Sequence, residues 1–136
     1  LEKDMLTVKS QTYQLIPGMK DAIGTSFEKH AFFEASSPRK INDKYYLVYS
    51  SEQSHELCYA TSNSPLGPWT YQGVYLEPTG CDTSHGSIAE YNGEWYAFYH
   101  NCSISGQGNL RSVCVDKLYY NSDGTIQVVK QTRGQK

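Results

Sequence analysis

The chain carries the same strand pattern twice, with the two copies fifty residues apart. The first copy spans residues 33–50 and the second spans 83–100. The matched positions are Asn42 with Asn92, Tyr45 with Trp95, Tyr46 with Tyr96 and Tyr49 with Tyr99. A repeat of this length, built from turn-linked strands, is typical of a propeller-like array. The innermost strands of such an array converge on one axis. We therefore expect the polar residues that begin the two copies, Glu34 and His85, to face a common central pocket.

The repeat predicts an all-β chain with about two four-stranded blades plus flanking strands. The predicted strands lie at about 32–41, 44–50, 56–61 and 69–76 in the first copy, and at about 86–91, 94–100, 111–120 and 125–130 in the second. Asn92-Gly93 is a strong signal for a tight hairpin. An alternating pattern predicts a further short strand at Met5–Val8, and no segment has a convincing helical pattern.

The third strands of the two copies are expected at a wider spacing than the rest of the repeat. Leu57-Cys58-Tyr59 matches Val113-Cys114-Val115 at an offset of fifty-six residues. We attribute the difference to about six extra residues in the Gly- and Ser-rich segment 103–109, which we expect to form a loop.

Two blades do not close a ring, because propellers typically have four to eight. We expect the missing blades to lie elsewhere on a longer parent chain, with self-assembly of several copies as the alternative. In this interpretation residues 1–29 end a preceding blade and form a linker. Residues 30–77 form one blade, and residues 78–136 form the next blade and a closing strand.

The composition excludes some classes of partner. The 136 residues carry a net charge of −2 and no Lys/Arg cluster, which argues against nucleic-acid binding. No apolar run approaches the length that spans a membrane. Twelve Tyr, two Trp and four Phe favour an aromatic β-core, although a few such residues also line sugar-binding clefts. We find no signal peptide at the start of the numbering. Localisation stays open, with secretion or the periplasm favoured and the cytoplasm as the alternative.

The four cysteines are not spaced as C-x-x-C pairs, which argues against a zinc site of that kind. Cys58 and Cys114 lie in apolar strand patterns and are expected to be buried free thiols. Cys81 and Cys102 flank the second copy, where either free thiols or a disulfide would fit.

Glu34 is the strongest candidate for chemistry. It lies between Ala31-Phe32-Phe33 and Ala35-Ser36-Ser37, and burial among apolar and small residues raises the pKa of a carboxyl group. A protonated carboxyl is what a general acid requires. The alternative is a strand-end carboxylate that binds a neighbouring blade. We group Phe33, the aromatic residue beside Glu34, with the substrate-binding residues.

Two further residues have both a functional and a structural interpretation. His85 precedes Gly86, which permits close backbone approach, and its imidazole could hold water, a metal or a sugar hydroxyl. A hydrogen-bonded structural histidine is the alternative. Arg111 could orient a hydroxyl or a carboxylate, or could be a surface cation. The remaining acids of turns and polar strand faces are expected to be solvated; they are Glu52, Glu56, Asp116 and Asp123.

The segments 30–41 and 45–51 resemble glycoside hydrolase family 43, and so do 84–88, 95–100, 111–116 and 121–126. The resemblance covers about residues 28–130 in this order. It implies a five-bladed β-propeller and an inverting hydrolase of the β-xylosidase, α-L-arabinofuranosidase or arabinanase type. No cofactor is implied as a requirement.

By the same resemblance, Glu34 matches the family's general acid. His85 matches a histidine at the propeller centre, which in many members holds a calcium ion or a water molecule. Arg111 matches an arginine of the substrate pocket. The family's catalytic base and pKa-modulating Asp belong to blades that precede the matched region, so we expect this chain to supply the acid half of the site. The alternatives are a non-catalytic carbohydrate-binding module and a structural fragment without a ligand.

Overall fold

The computed structural model describes residues 1–132, and its strands form two antiparallel sheets that follow each other along the chain. The strands are β1 (Phe32–Ile41), β2 (Lys44–Ser51), β3 (Leu57–Ser62), β4 (Thr70–Leu76), β5 (Gly86–Tyr91), β6 (Glu94–Asn101) and β7 (Ser112–Leu118). The order is β1-β2-β3-β4 in the first sheet and β5-β6-β7 in the second. The all-β class is therefore confirmed.

The strand registers confirm the repeat and its wider third offset. Tyr49 pairs with Cys58 in the first sheet, and Tyr99 pairs with Cys114 in the second. The partners of the two tyrosines therefore lie fifty-six residues apart, although the tyrosines themselves lie fifty apart. The hairpin between β5 and β6 has positive φ at Asn92 (52°) and Gly93 (79°), as a two-residue type I′ turn requires.

The predicted strand at 5–8 is wrong. The Asp4 carboxylate accepts hydrogen bonds from the backbone N–H groups of Leu6 and Thr7 and from the Thr7 hydroxyl. Such local bonds fold the backbone into a turn and compete with strand pairing. The prediction that the chain has no helix is also wrong, because Met19–Ala22 form a single helical turn, α1.

The second sheet has three strands instead of the expected four. Residues 125–130 form only one bridge, between Tyr120 and Ile126. The backbone N–H of Ile126 donates to the Tyr59 hydroxyl (2.9 Å), and that of Val129 donates to the Tyr75 carbonyl (2.8 Å). Both acceptors belong to the first sheet, so this segment binds across the two sheets instead of extending the second one.

Two apolar clusters stabilise the chain. One lies between the sheets and includes Val48, Tyr75, Ile88 and Tyr99, together with Ile126 from the C-terminal segment. The other lies on the opposite face of the first sheet, where the N-terminal segment covers it, and its members include Ile16, Phe27, Leu47, Tyr49 and Cys58. Most of the aromatic residues therefore act as core, as the composition suggested.

The inner strands of the two sheets, β1 and β5, meet at a polar seam. Arg39 on β1 donates from Nε to the Ile88 carbonyl (2.9 Å) and from Nη2 to the Ser87 hydroxyl (2.8 Å). Gly86, the first residue of β5, lies so close to the first sheet that a Cβ there would stand 2.4 Å from Leu57 Cδ1. This confirms the close backbone approach expected at Gly86.

All four cysteines are free thiols. Cys58 is fully buried, as predicted, whereas Cys114 is only half-buried, because β7 is an edge strand whose residues alternate between exposed and half-buried. The pKa of Cys81 is raised, mainly by burial and further by the neighbouring Cys102 thiol.

Among residues 1–132, no helix is long and apolar enough to cross a membrane.

Candidate functional site

Glu34 lies at an irregularity of β1. The pairing with β2 shifts register on both sides of Glu34, between Phe32 and Glu34 and between Glu34 and Ser37. Ala35 has a φ of 63°, which is uncommon for a residue with a Cβ. A bulge of this kind bends a strand and changes the direction in which its side chains point. The bulge therefore sets where the Glu34 carboxyl group is directed.

The Glu34 carboxyl group meets His85 of the second sheet. Glu34 Oε1 lies 2.9 Å from His85 Nε2, which is hydrogen-bonding distance. The Glu34 side chain is 37% exposed and the His85 side chain is 55% exposed. The predicted burial of Glu34 is thus incomplete in this chain, because its carboxyl group lies against the more exposed His85 side chain. The two side chains are therefore in contact, and the common central pocket that they were expected to face stays a prediction.

The segment that carries His85 is held in place from β6. His100 Nε2 lies 2.8 Å from the Thr83 carbonyl, so the imidazole donates this hydrogen bond. The ring of His100 also lies near that of His85, with centroids 6.2 Å apart. Thr83 lies two residues before His85, and this bond therefore limits how far the His85 backbone can move.

Arg111 contacts the same segment. Its Nη2 donates to the Thr83 hydroxyl (3.3 Å), and its Nε donates to the Gly108 carbonyl (2.9 Å). The guanidinium therefore joins the loop before β7 to the residues that precede His85. Its direct hydrogen bonds go to Thr83 and Gly108, so its predicted contact with substrate stays a prediction.

Phe33 is partly exposed and packs against a different histidine. Its ring centroid lies 5.1 Å from that of His55, in the turn between β2 and β3. Because Phe33 and Glu34 are neighbours on the bulged strand, the ring lies near the acid without sharing its contact to His85. A role in binding substrate stays a prediction.

The sequence did not single out Thr83 or His100, although both position His85. His100 ends the second repeat copy, at the position that Ser50 occupies in the first. The presence of histidine where the first copy has serine was the sequence signal that could have pointed to His100. The bulge at Glu34 had no comparable signal, because Ala35 gives no sign that its φ is positive.

Two of the acids expected to be solvated are in fact structural. Glu56 is only 4% exposed and faces His30. Burial opposes ionisation of Glu56, but the hydrogen bonds that its carboxylate accepts outweigh burial and hold its pKa below the ordinary value. Asp116 is half-buried and accepts hydrogen bonds from the Tyr99 hydroxyl and from Thr132. Glu52 is also half-buried, whereas Asp123 is exposed.

Residues 1–132 show no cluster of potential metal ligands that includes His85. Calcium takes six to eight oxygen ligands. His85 offers an imidazole nitrogen, and that nitrogen is engaged by the Glu34 carboxyl group. Within residues 1–132, the one cluster of three potential metal ligands consists of His30, Glu56 and Cys58, and it does not include His85.

The Glu34–His85 pair has the chemistry of a positioned proton donor. A protonated Glu34 can donate to the imidazole or to an incoming oxygen, and an ionised Glu34 accepts from Nε2–H. In either state the hydrogen bond fixes the orientation of the carboxyl group. The pair is accessible to solvent, so a ligand can reach it.

Comparisons with known proteins agree on one family. The family model of glycosyl hydrolases family 43 matches residues 1–126. A beta-xylosidase of Xylanibacter ruminicola is 50% identical over 104 residues, which are 76% of this chain and 33% of the relative. The structure of RS223-beta-xylosidase has a TM-score of 0.82 and 41% identity, and the match covers 94% of this chain and 41% of that one.

The crystal structure of a third similar protein contains a bound oligosaccharide. CoXyl43, a β-xylosidase/α-arabinofuranosidase from a compost microbial metagenome, was crystallised with xylotriose in a calcium-free form. It has a TM-score of 0.70 and 46% identity, and the match covers 74% of this chain and 31% of that one. The chain spans about a third of the length of the curated relatives that it matches.

Proposed function

Because this chain belongs to glycosyl hydrolases family 43, we propose that it is the C-terminal part of the catalytic domain of an inverting glycosidase. Its substrates are glycans or oligosaccharides that contain xylose or arabinose. The relatives named as xylosidases and arabinosidases support this substrate class. The observation that carries the proposal is the contact between Glu34 on β1 and His85, which directly precedes β5.

In the proposed mechanism Glu34 is the general acid. Its proton passes to the glycosidic oxygen as the bond from that oxygen to the anomeric carbon breaks. His85 holds the carboxyl group in the orientation that this transfer needs. A second carboxylate, roughly 6.5–9.5 Å from the first, must activate water on the opposite face of the sugar. We assign that catalytic base to residues outside this chain.

We further propose that the two sheets are blades of a five-bladed propeller. The first sheet has an apolar groove of about 630 Å³ between its outer face and the N-terminal segment. The residues that line it include Tyr13, Leu15, Phe32, Leu47 and Trp69. An apolar surface of this kind supports the packing of a preceding blade against β1 and β2.

The test compares substrates with good and poor leaving groups in the full-length protein. Glu34→Gln should lower kcat on xylo- or arabino-oligosaccharides by about 10²–10⁴-fold, the usual contribution of a general acid. An aryl glycoside with an acidic leaving group needs little protonation and should lose far less. Glu90→Gln, an exposed acid on β5, serves as the matched control and should retain activity on both substrates.

An equal loss on both kinds of substrate would exclude Glu34 as the acid. Binding of the oligosaccharides without turnover by the unaltered full-length protein would favour a carbohydrate-binding module instead. Retention of the anomeric configuration in the product, followed by NMR, would contradict the inverting mechanism.

A further inference from the structure

Three groups with metal-binding chemistry meet on the outer side of the first sheet, away from Glu34 and His85. His30 Nδ1 lies 3.0 Å from Glu56 Oε1, and Cys58 Sγ lies 3.9 Å from His30 Nδ1 and 3.7 Å from Glu56 Oε1. His30 comes from the segment that precedes β1. Glu56 directly precedes β3, and Cys58 is the second residue of that strand.

These separations match the edges of a tetrahedral metal site. Zinc binds imidazole nitrogen and carboxylate oxygen at about 2.0–2.2 Å and thiolate sulfur at about 2.3 Å. Tetrahedral angles then place nitrogen and oxygen about 3.3 Å apart and place the sulfur about 3.6 Å from each of them. The observed distances differ from these by a few tenths of an ångström, so a cation fits without rearrangement of the backbone.

The site is enclosed on most sides. Cys58 is fully buried and Glu56 is nearly so, whereas His30 is 32% exposed. The His30 ring stacks on Tyr71, with centroids 4.5 Å apart and planes 9° apart, which fixes its orientation. The second carboxylate oxygen of Glu56 accepts a hydrogen bond from Ser54. Such outer contacts are typical of metal ligands, and the partly exposed imidazole leaves a path from solvent.

The electrostatics of the cluster favour a cation. Cys58 is fully buried beside the nearly buried Glu56 carboxyl group. A thiol and a carboxylate buried side by side are costly when both are ionised, and a divalent cation between them removes this cost and deprotonates the thiol. One thiolate, one imidazole and one carboxylate suit zinc and similar metals, whereas calcium prefers six to eight oxygen ligands.

We propose that His30, Glu56 and Cys58 bind a zinc-class divalent cation, with the fourth position open to water. The cation ties the segment before β1 to β3, four residues ahead of Glu34. A hydrogen bond already holds this segment, because the Tyr49 hydroxyl donates to the His30 carbonyl (2.7 Å). The spacing of the cysteines could not reveal this site, since its ligands are a single cysteine and two residues of other types.

The test uses the full-length protein stripped of metal with a chelator and then loaded with zinc or cobalt alone. We expect one equivalent of cobalt to give the near-ultraviolet absorption of a thiolate-to-cobalt transition, and excess calcium to leave it unchanged. Cys58→Ser should abolish the band. His30→Gln should weaken zinc binding by at least tenfold. Cys114→Ser removes the thiol at the corresponding repeat position and should leave the band intact.

Absence of the cobalt band in the folded wild-type protein would overturn the proposal. So would a band that survives Cys58→Ser, because the thiolate would then belong to another cysteine. Circular dichroism checks the fold of each variant. If Cys58→Ser does not fold, the partly exposed His30 carries the test, and zinc affinity unchanged in His30→Gln would exclude the site. These readouts are independent of glycosidase activity.

Discussion

The hydroxyl oxygens of Ser37 and Ser87 lie 3.2 Å apart, and the two residues occupy the same position in successive repeat copies. The inner strands of the two sheets therefore meet at corresponding points. Arg39 completes this seam through its bonds to Ser87 and to the Ile88 carbonyl. The seam runs along the same two strands that bring Glu34 and His85 together, so the joint between the sheets also determines the geometry of the candidate site.

We expect Arg39→Met to destabilise the full-length protein by about 1–3 kcal/mol, because it removes the hydrogen bonds that Arg39 donates to the Ile88 carbonyl and the Ser87 hydroxyl. Urea unfolding measures the change. Lys44→Met, at an exposed position at the start of β2, is the control and should change the free energy of unfolding by less than about 0.5 kcal/mol. Equal effects of the two substitutions would show that the seam does not stabilise the protein.

Gly86→Ala should destabilise the protein by about 1–3 kcal/mol, because a core that is already packed has no room for the added methyl group. The new Cβ would stand 2.4 Å from Leu57 Cδ1 and 2.8 Å from the Tyr75 hydroxyl. The comparison is Gly18→Ala, where the nearest atom lies 3.9 Å away. A thermal midpoint that falls no further for Gly86→Ala than for Gly18→Ala would contradict the close approach of β5.

The repeat was sufficient to predict most of the strands, because the aromatic strand and its tight turn recur in the sequence. It also singled out Glu34 and His85 at the starts of the two copies, and their side chains are in contact. The failures have local causes that no repeat encodes. The Asp4 carboxylate folds residues 5–8 into a turn, and the Tyr59 hydroxyl draws Ile126 towards the first sheet.

The burial of charged residues was the least predictable property. Glu56 follows a polar turn and looks solvated in the sequence, yet the fold places it beside His30, twenty-six residues earlier in the chain. The sequence shows neither the partner nor the distance. The same limit applies to His100, whose bond to Thr83 depends on how β6 lies against the segment before β5.

His100→Leu should lower kcat on oligosaccharides by about tenfold, because the Thr83 carbonyl loses its donor and the segment that carries His85 becomes less constrained. Loss of one hydrogen bond of about 1.4 kcal/mol corresponds to that factor. His100→Gln retains an N–H donor and should recover most of the activity. A higher kcat for His100→Gln than for His100→Leu would show that His100 acts through its hydrogen bond to Thr83. A purely steric role would lower kcat equally in the two variants. Steady-state kinetics on the full-length protein measures both.

Asp116→Asn should destabilise the protein at neutral pH by about 1 kcal/mol, a value kept small because the carboxylate is partly exposed. Burial opposes ionisation of Asp116, but the bonds from Thr132 and from the Tyr99 hydroxyl hold its pKa below the ordinary 3.8. Asparagine retains one acceptor oxygen and replaces the other with a donor.

The low pKa of Asp116 gives this prediction a pH dependence of known sign. Above about pH 5 the carboxylate is ionised in both the folded and the unfolded state, and its hydrogen bonds contribute fully to stability. As the pH falls towards and below 3.8 the unfolded state takes up a proton first, so this contribution declines until the folded carboxylate is also protonated. Urea unfolding of wild type and Asp116→Asn from pH 3 to 7 should therefore show a difference that narrows towards low pH. A difference that widens on acidification would mean that the carboxylate is not the stabilising form.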